Sequence, residues 1–201
     1  MSTLTLATGR PVLADRVFSR SIVTDMILIA AGAGLTAIAA QLAVPLWPVP
    51  ITGQTLAVLI VGSTLGALRG ALSMVLYALV GIAGVPVFSD ASHGIDIVAG
   101  PTGGYIIGFI FAAALTGWLA QRQWDHKIVK AFLAFSVGTV VTFVVGLPWL
   151  AASLNLTLEQ TLQAGLYPFI LGGVIKAALA AGFIRLAWFG VDRADRTRET
   201  E

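Results

Sequence analysis

One lysine stands in the middle of a strongly apolar stretch. The stretch runs from Phe169 to Phe183, and Lys176 is its only charged side chain. An ammonium group at the centre of a membrane span costs about 3 kcal/mol on insertion scales, so such a lysine is expected to face an interior cavity and to be paired. Lys176 is therefore a candidate ligand-binding residue. The alternatives are a lysine that binds backbone carbonyls in a kinked bundle, or a span that lies shallower.

The partner of this amine is not obvious from the sequence. Asp25 is the only acid within the predicted spans, and it lies near the inner end of the first one. The remaining partners are backbone carbonyls, an outer-loop carboxylate such as Asp90, or the acidic group of a ligand. Gly172 and Gly173 remove side chains one turn before the lysine, which leaves space for a ligand or allows a neighbouring helix to pack closely.

The composition places these residues in a membrane. The chain has 201 residues, of which 57% are hydrophobic and 11% are charged, far from the balance of a soluble domain. A helix needs about 20 apolar residues to cross a bilayer, so we predict an all-α membrane protein, a bundle of six transmembrane helices. The predicted spans are Ile22–Val44, Ile51–Leu68, Gly70–Val85, Gly103–Ala120, Ile128–Leu147 and Leu166–Phe189.

The basic residues predict the orientation of this bundle. Eleven of the twelve Lys and Arg residues fall toward one side of the bundle: before the first span, between spans two and three, in or beside the connection between spans four and five, or in and after the end of the last span. The loops on the other side hold none. By the positive-inside rule both termini are cytoplasmic, and we expect a multi-pass protein of the cell membrane. It would consist of an N-terminal extension (1–21), a membrane domain (22–189) and a tail (190–201). A cleaved secretory signal ending near Ala37–Ala39 is the alternative for the first span.

Several function classes lack the residues that they need. The sequence holds no P-loop, no HExxH zinc signature, no GxSxG nucleophile elbow and no cysteine. A formal net charge of only +2, carried by bases that flank apolar segments, indicates membrane orientation and no nucleic-acid partner. We therefore expect no enzyme, no metal and no cofactor. The first span instead offers a surface for another helix, because Ala30 with Gly34 and Ala33 with Ala37 each lie four residues apart on one face.

Four motifs of this chain together resemble the BioY family, the biotin-specific S components of energy-coupling-factor (ECF) transporters. They are VPLWPVPITGQTL (44–56), GVPVF (84–88), GPTGGYIIGF (100–109) and YPFILGGVIKAALA (167–180). The resemblance spans about residues 22–187. It implies a six-helix bundle that captures biotin from outside, a lipid bilayer around it, and two kinds of partner: an ECF T component and two ATPase subunits, which alone bind ATP. It also implies that Ala33 and Ala37, with Ala30 and Gly34, dock on the T component.

The resemblance also suggests a ligand site. Around the lysine the family pattern usually reads PF..GD..K, in which the Asp and the Lys contribute to ligand binding. Lys176 matches that lysine, whereas Gly173 stands at the position of the acid. We expect Lys176 to donate to the carboxylate or to the ureido oxygen of biotin. The residues expected at the mouth of the site are Gln54, Ser89, Asp90, Thr102 and Tyr105.

Three other functions remain open at this point. The chain could be an S component for another small vitamin or heterocycle, which competition between biotin and desthiobiotin would separate. It could be a channel or stand-alone carrier built from oligomers, for which uptake without any ATPase subunit would be the sign. The third is an intramembrane enzyme without a recognised motif.

Overall fold

The protein is a bundle of helices with one very short β-hairpin. The computed structural model describes residues 5–6 and 9–199. Helix α6 lies at the centre, in contact with α3, α4 and α7, and it is the most deeply buried of the long helices. The helices are α1 (Leu13–Val17), α2 (Ile22–Ala40), α3 (Gln54–Leu65), α4 (Ala67–Ile82), α5 (Ile95–Ala99), α6 (Gly103–Ala120), α7 (Ile128–Leu154), α8 (Leu158–Gly165) and α9 (Tyr167–Glu199).

Each of the six predicted spans corresponds to one of these helices. Within the described residues, α2, α6, α7 and α9 are long and apolar enough to cross a membrane, whereas α3 and α4 are shorter apolar helices of 12 and 16 residues. A mostly helical fold, with helices long and apolar enough to cross a membrane, is therefore confirmed. Whether all six helices cross the bilayer stays a prediction.

The first predicted span ends earlier than its apolar run does. Ser21 accepts a hydrogen bond from the amide of Thr24 at 3.1 Å and caps the start of α2. The helix stops at Ala40, and Ala43–Val44 (β1) pairs antiparallel with Ile51–Thr52 (β2). This hairpin folds the connection between α2 and α3 back toward the bundle, and it brings the backbone of Thr52 to the candidate site.

The turn between α3 and α4 lies at Gly66, not at Arg69 and Gly70 as predicted. Gly66 has φ +87°, a conformation that favours glycine. Gly70 stays helical instead, because α4 packs so closely on α3 that a Cβ atom there would meet the Cα of Gly62 at 2.9 Å. The tight hairpin itself is present, displaced by one helical turn.

Two helices are longer than predicted, and two segments predicted as loops contain helix. Helix α7 continues through Pro148 to Leu154, and α9 continues ten residues past Phe189. The loop at 148–165 contains α8, whose start carries a capping box between Thr157 and Gln160. Proline and charge were read as span ends, but neither Pro148 nor the charged residues after Phe189 end their helices.

Arg69 belongs to a buried ion cluster, although the sequence placed it in an inner loop. Its guanidinium lies 2.7 Å from a carboxylate oxygen of Asp15 and 3.2 Å from one of Asp25, and all three side chains are at most 3% exposed. Arg20 also pairs with Asp15, at 2.9 Å. Burial raises the pKa of the Asp15 carboxyl, but hydrogen bonds from the Val12 amide, Arg20 and Arg69 outweigh it and hold that pKa below its usual range.

This cluster fastens the segment before α2 to the bundle. Val12, Leu13 and Ala14 are buried, and α1 contacts α3 and α9. Residues predicted as an extension therefore complete the packing at the end of the bundle opposite the hairpin.

Removing the arginine should destabilise the fold strongly. Arg69→Met leaves Asp15 and Asp25 buried without their shared cation, and breaking a buried pair in this way costs about 3–5 kcal/mol. We expect a loss of that size in the free energy of unfolding, measured by denaturant titration of the purified protein in detergent.

Arg16→Met is the matched control, because Arg16 is exposed. It should change the stability by less than about 1 kcal/mol. Equal stability of the two variants would show that the cluster does not hold the N-terminal segment.

Candidate functional site

A single cavity of about 280 Å³ collects most of the predicted site residues. It lies where the β-hairpin, the loop between α4 and α6, and the first halves of α6 and α9 meet. Its size is near the lower end of small-molecule sites, which run from about 300 Å³ upward, and its walls are mostly apolar with a few polar groups, as such sites usually are. The residues that line it are Val49, Pro50, Thr52, Gln54, Thr55, Phe88, Ser89, Asp90, Ser92, Ile97, Thr102, Tyr105, Ile106, Phe109, Thr142, Phe143, Phe169 and Lys176.

Lys176 reaches this cavity from the side of α9. It lies nine residues after the start of that helix, about 13.5 Å along it at 1.5 Å per residue. Its Nζ donates to the backbone carbonyl of Thr52 at 2.6 Å. Among the described residues no carboxylate lies within 4.0 Å of the amine. The amine therefore has one neutral partner, and its charge is not neutralised by an acid of the protein at close range.

Gln54, the first residue of α3, stands in the same corner of the cavity. The Thr52 hydroxyl donates to its Oε1 at 2.7 Å, and its Nε2 donates to the hydroxyl of Tyr77 at 2.6 Å. Tyr77 in turn donates to the carbonyl of Val87 at 3.1 Å. A chain of hydrogen bonds therefore runs from the hairpin through Gln54 to the loop after α4.

Tyr105 forms part of an aromatic wall. Its ring packs edge-on against Phe143, and Phe143 packs against Phe169, each with centroids 6.0 Å apart. The Tyr105 hydroxyl already donates to the carbonyl of Gly165 at 2.9 Å. The structure therefore offers the ring of Tyr105, rather than its hydroxyl, to a flat apolar ligand.

Ser89, Asp90 and Thr102 lie at the mouth of the cavity. Asp90 is exposed and has φ +55°, and the Ser89 hydroxyl lies 3.4 Å from its carboxylate. The Thr102 hydroxyl donates to the carbonyl of Ile97 at 3.3 Å rather than capping α6. Asp90 does not fold inward to meet Lys176. The outer-loop carboxylate that was considered as a partner of the amine is therefore not its partner in this structure.

Two residues that hold this mouth were not predicted as site residues, although Phe88 ends the motif GVPVF (84–88). Phe88 is 1% exposed, and its ring fills the space beside Gly81, where a Cβ atom would collide with it. Gln41 lies just past the end of α2; its Nε2 donates to the carbonyl of Phe88 at 3.0 Å, and its Oε1 accepts from the amide of Ala91 at 3.0 Å. The carboxamide of Gln41 therefore binds the backbone of the loop at two positions, Phe88 and Ala91.

Gly173 lies apart from the cavity. It borders a smaller pocket of about 180 Å³ between α7 and α9, and a Cβ atom there would meet only the methyl group of Thr139, at 3.4 Å. The two pockets share the rings of Phe143 and Phe169. A side chain at position 173 would have room, but it would start from the far side of that aromatic pair.

The small residues of α2 face two different ways. Ala33 is buried against Tyr77, Phe88 and Ile106, and Ala37 packs at the edge of the same cluster. Ala30 and Gly34 are exposed, and a Cβ atom on Gly34 would meet nothing within 4 Å. The outward surface of this helix therefore includes Ala30 and Gly34, beside large exposed side chains such as Ile27 and Ile38.

Comparisons with known proteins point to one family. The model described as the BioY family matches residues 8–193. Biotin transporter BioY2 of Lactococcus lactis subsp. cremoris (strain MG1363) is 36% identical over 159 residues, 79% of this chain and 87% of that protein. Biotin transporter BioY of Rhizobium etli is 40% identical over 141 residues, 67% of this chain and 75% of that protein.

A solved structure extends this likeness to the fold. The crystal structure at 2.1 Å of the S-component for biotin from an ECF-type ABC transporter has a TM-score of 0.74 and 26% sequence identity to this chain. The match covers 81% of this chain and 89% of that one.

The hydrogen bonds of Gln41 to the loop at the cavity mouth predict that a change of this residue speeds up hydrogen exchange in that loop. Gln41→Leu removes both hydrogen bonds to the loop, so the amides of residues 88–92 should exchange with deuterium about tenfold faster, which corresponds to about 1.4 kcal/mol of lost protection. Hydrogen exchange followed by mass spectrometry measures this.

Two comparisons complete the measurement. The peptides of α6 should keep their exchange rates, and so should the loop in the control Gln163→Leu, because Gln163 is a glutamine of α8 that bonds only Glu159 among the described residues. Unchanged exchange at 88–92 in Gln41→Leu would mean that the two hydrogen bonds of Gln41 do not hold the loop.

Proposed function

The chain belongs to the BioY family, and we propose that it captures biotin from outside the cell as the substrate-binding S component of an ECF-type transporter. Relatives that bear the name biotin transporter, and the S-component for biotin among solved structures, support this function. The family is a transporter component, which agrees with the expectation that the chain is not an enzyme.

The observation that carries the proposal is the uncompensated amine in an apolar cavity. Biotin combines a rigid ureido ring, an apolar thioether ring and a valerate carboxylate. Lys176 supplies a cationic donor to an anionic or strongly polar group of such a ligand. The rings of Tyr105, Phe143 and Phe169 supply the apolar wall on which its bicyclic part packs.

The proposed orientation places the cavity mouth outside and both termini in the cytoplasm. Its support is the distribution of bases together with the contacts of the inner end, where Arg69 joins Asp15 and Asp25. The mouth residues lie in loops without Lys or Arg. In this arrangement α3 and α4 are the second and third of six membrane helices, and α3 is extended toward the outer face by the strand that precedes it.

Delivery across the membrane requires partners that supply energy. The sequence holds no P-loop, so ATP would be hydrolysed by two separate ATPase subunits, and a T component would connect them to this chain. The docking surface expected on α2 is its exposed small-residue face, Ala30 and Gly34. The resemblance pointed to Ala33 and Ala37. These two residues lie on the inward side of α2, where they determine how α2 packs on α4.

A second ligand class is favoured by one specific observation. The acid usual in the family is replaced by Gly173, and no other described carboxylate approaches Lys176. A vitamin or heterocycle other than biotin would then be the substrate of the same S component. Competition of biotin against desthiobiotin and other small vitamins on the purified protein separates the two.

Removal of the lysine should weaken the ligand without unfolding the protein. Lys176→Met keeps the length of the side chain but removes its charge, and we expect the Kd for biotin to rise about tenfold or more, or about 1.4 kcal/mol. Isothermal titration calorimetry or radioligand binding on the purified protein measures it.

The wild type should bind biotin with a submicromolar Kd, and Lys127→Met, a change at an exposed lysine, should bind equally well. No binding by the wild type would end the biotin proposal. Equal binding by Lys176→Met would assign this lysine to structure alone.

Uptake should depend on the partner subunits. Cells that express this chain but lack every ECF-type ATPase should bind labelled biotin at their surface and accumulate none, because nothing couples binding to release inside. Accumulation in such cells would instead favour a stand-alone carrier.

A further inference from the structure

Gln54 and Lys176 form one polar corner of the cavity. They are joined by Thr52, whose carbonyl accepts from Lys176 and whose hydroxyl donates to Gln54. Thr52 and Gln54 are 8% and 7% exposed, and both line the cavity. The amine and the carboxamide therefore act on the same part of a ligand.

The hydrogen-bond chain fixes which way the carboxamide of Gln54 faces. The Tyr77 hydroxyl has one hydrogen, which it donates to the carbonyl of Val87, so toward Gln54 it must accept. The nitrogen of the carboxamide therefore faces Tyr77, and its oxygen faces the Thr52 hydroxyl. Tyr77 is 1% exposed and does not line the cavity, so it acts on a ligand only through Gln54.

This orientation leaves a defined capacity for hydrogen bonding. A carboxamide has two N–H donors and two acceptor lone pairs. Tyr77 uses one donor and Thr52 uses one acceptor site, so one N–H and one lone pair remain. Because Gln54 lines the cavity and is nearly buried, a ligand that fails to pair with these groups would leave them unsatisfied, which is costly.

A cyclic urea presents the complementary pair, an N–H donor beside a carbonyl acceptor. Its oxygen has two lone pairs, so it can accept from the carboxamide of Gln54 and from the amine of Lys176. Its N–H donates to Gln54 Oε1. The carboxylate at the other end of biotin then points away from this corner.

We propose that Gln54 is a specificity-determining residue for the ureido ring, and that Tyr77 is the positioning residue that fixes the face of its carboxamide. This inference rests on the proposed function. In this proposal the donor and the acceptor of the neutral Gln54 carboxamide select the ureido ring. No acid is needed at position 173.

The test uses 2-iminobiotin, in which a nitrogen that carries N–H donors replaces the ureido oxygen. In the wild type this nitrogen faces the donor of Gln54 and the amine of Lys176, so iminobiotin should bind about a hundredfold weaker than biotin, within the range by which polar sites reject mismatched ligands. Gln54→Leu removes the N–H donor and the oxygen acceptor that distinguish the two ligands. The Kd for biotin should rise at least about tenfold, and the ratio of the two Kd values should shrink by about tenfold.

Tyr77→Phe tests the positioning role without changing a residue that touches the ligand. Without the Tyr77 hydroxyl the carboxamide of Gln54 can rotate and exchange the positions of its oxygen and its nitrogen. The ratio of the Kd for iminobiotin to the Kd for biotin should therefore shrink several-fold although Gln54 is intact. Ser73→Ala is the matched control, because it also removes a buried hydroxyl from α4, one that bonds only the Arg69 carbonyl of its own helix within the part of the chain that the structure describes. In Ser73→Ala the ratio of the Kd for iminobiotin to the Kd for biotin should equal that of the wild type.

The outcomes separate this inference from the proposed function. If the wild type does not bind biotin, the proposed function fails. If it binds biotin but Gln54→Leu and Tyr77→Phe weaken both ligands equally, both residues are structural and the inference is overturned. If Gln54→Leu does not fold, the ratio in Tyr77→Phe decides alone: a reduced ratio supports the inference, and an unchanged ratio overturns it.

Discussion

The structure of the site depends on one constraint: an ammonium group that is half-buried among apolar side chains must have a partner. In a soluble protein water would provide it, but a lysine at bilayer depth has only what the fold brings to it. Here the partner is the carbonyl of Thr52, 124 residues earlier in the chain. The carbonyl is available because β2 ends and α3 begins at this point, which leaves that backbone oxygen outside a regular helix. The short hairpin between α2 and α3 is therefore what makes the charge tolerable.

The same requirement extends outward from Lys176 through a series of polar contacts. The Thr52 hydroxyl bonds Gln54, Gln54 bonds Tyr77, and Tyr77 bonds the carbonyl of Val87. Each group is buried and would be costly without its partner. Because the last bond reaches the loop that carries Phe88 and Asp90, the deep end of the cavity and its mouth are parts of one hydrogen-bonded structure. Gln41 fastens that loop from the other side.

Periodicity, charge and motif were enough to predict the helices and six residues that line the cavity, but not the contacts within it. Gly103–Ala120 was predicted to the residue, because glycine and charge bound an apolar run of spanning length. The turn at Gly66 was missed, since nothing local separates a glycine that must adopt positive φ from one that packs, such as Gly70. Tyr77, Gln41 and Arg69 were not recognised as partners of buried groups. Their contacts join residues 23, 50 and 54 positions apart, and a single sequence holds no record of such pairs.

The absence of an acid beside Lys176 has an electrostatic consequence for any ligand. A carboxylate that reached the amine would neutralise it, and the corner would then favour a neutral ligand. Among the described residues that line the cavity, the acid is Asp90, an exposed residue at its mouth, where solvent and salt screen its charge. The deep end therefore keeps a net positive potential within apolar walls. A ligand that carries a negative charge is favoured by this potential even when its charged end lies away from the corner, and its polar head can form the hydrogen bonds that Lys176 and Gln54 offer there.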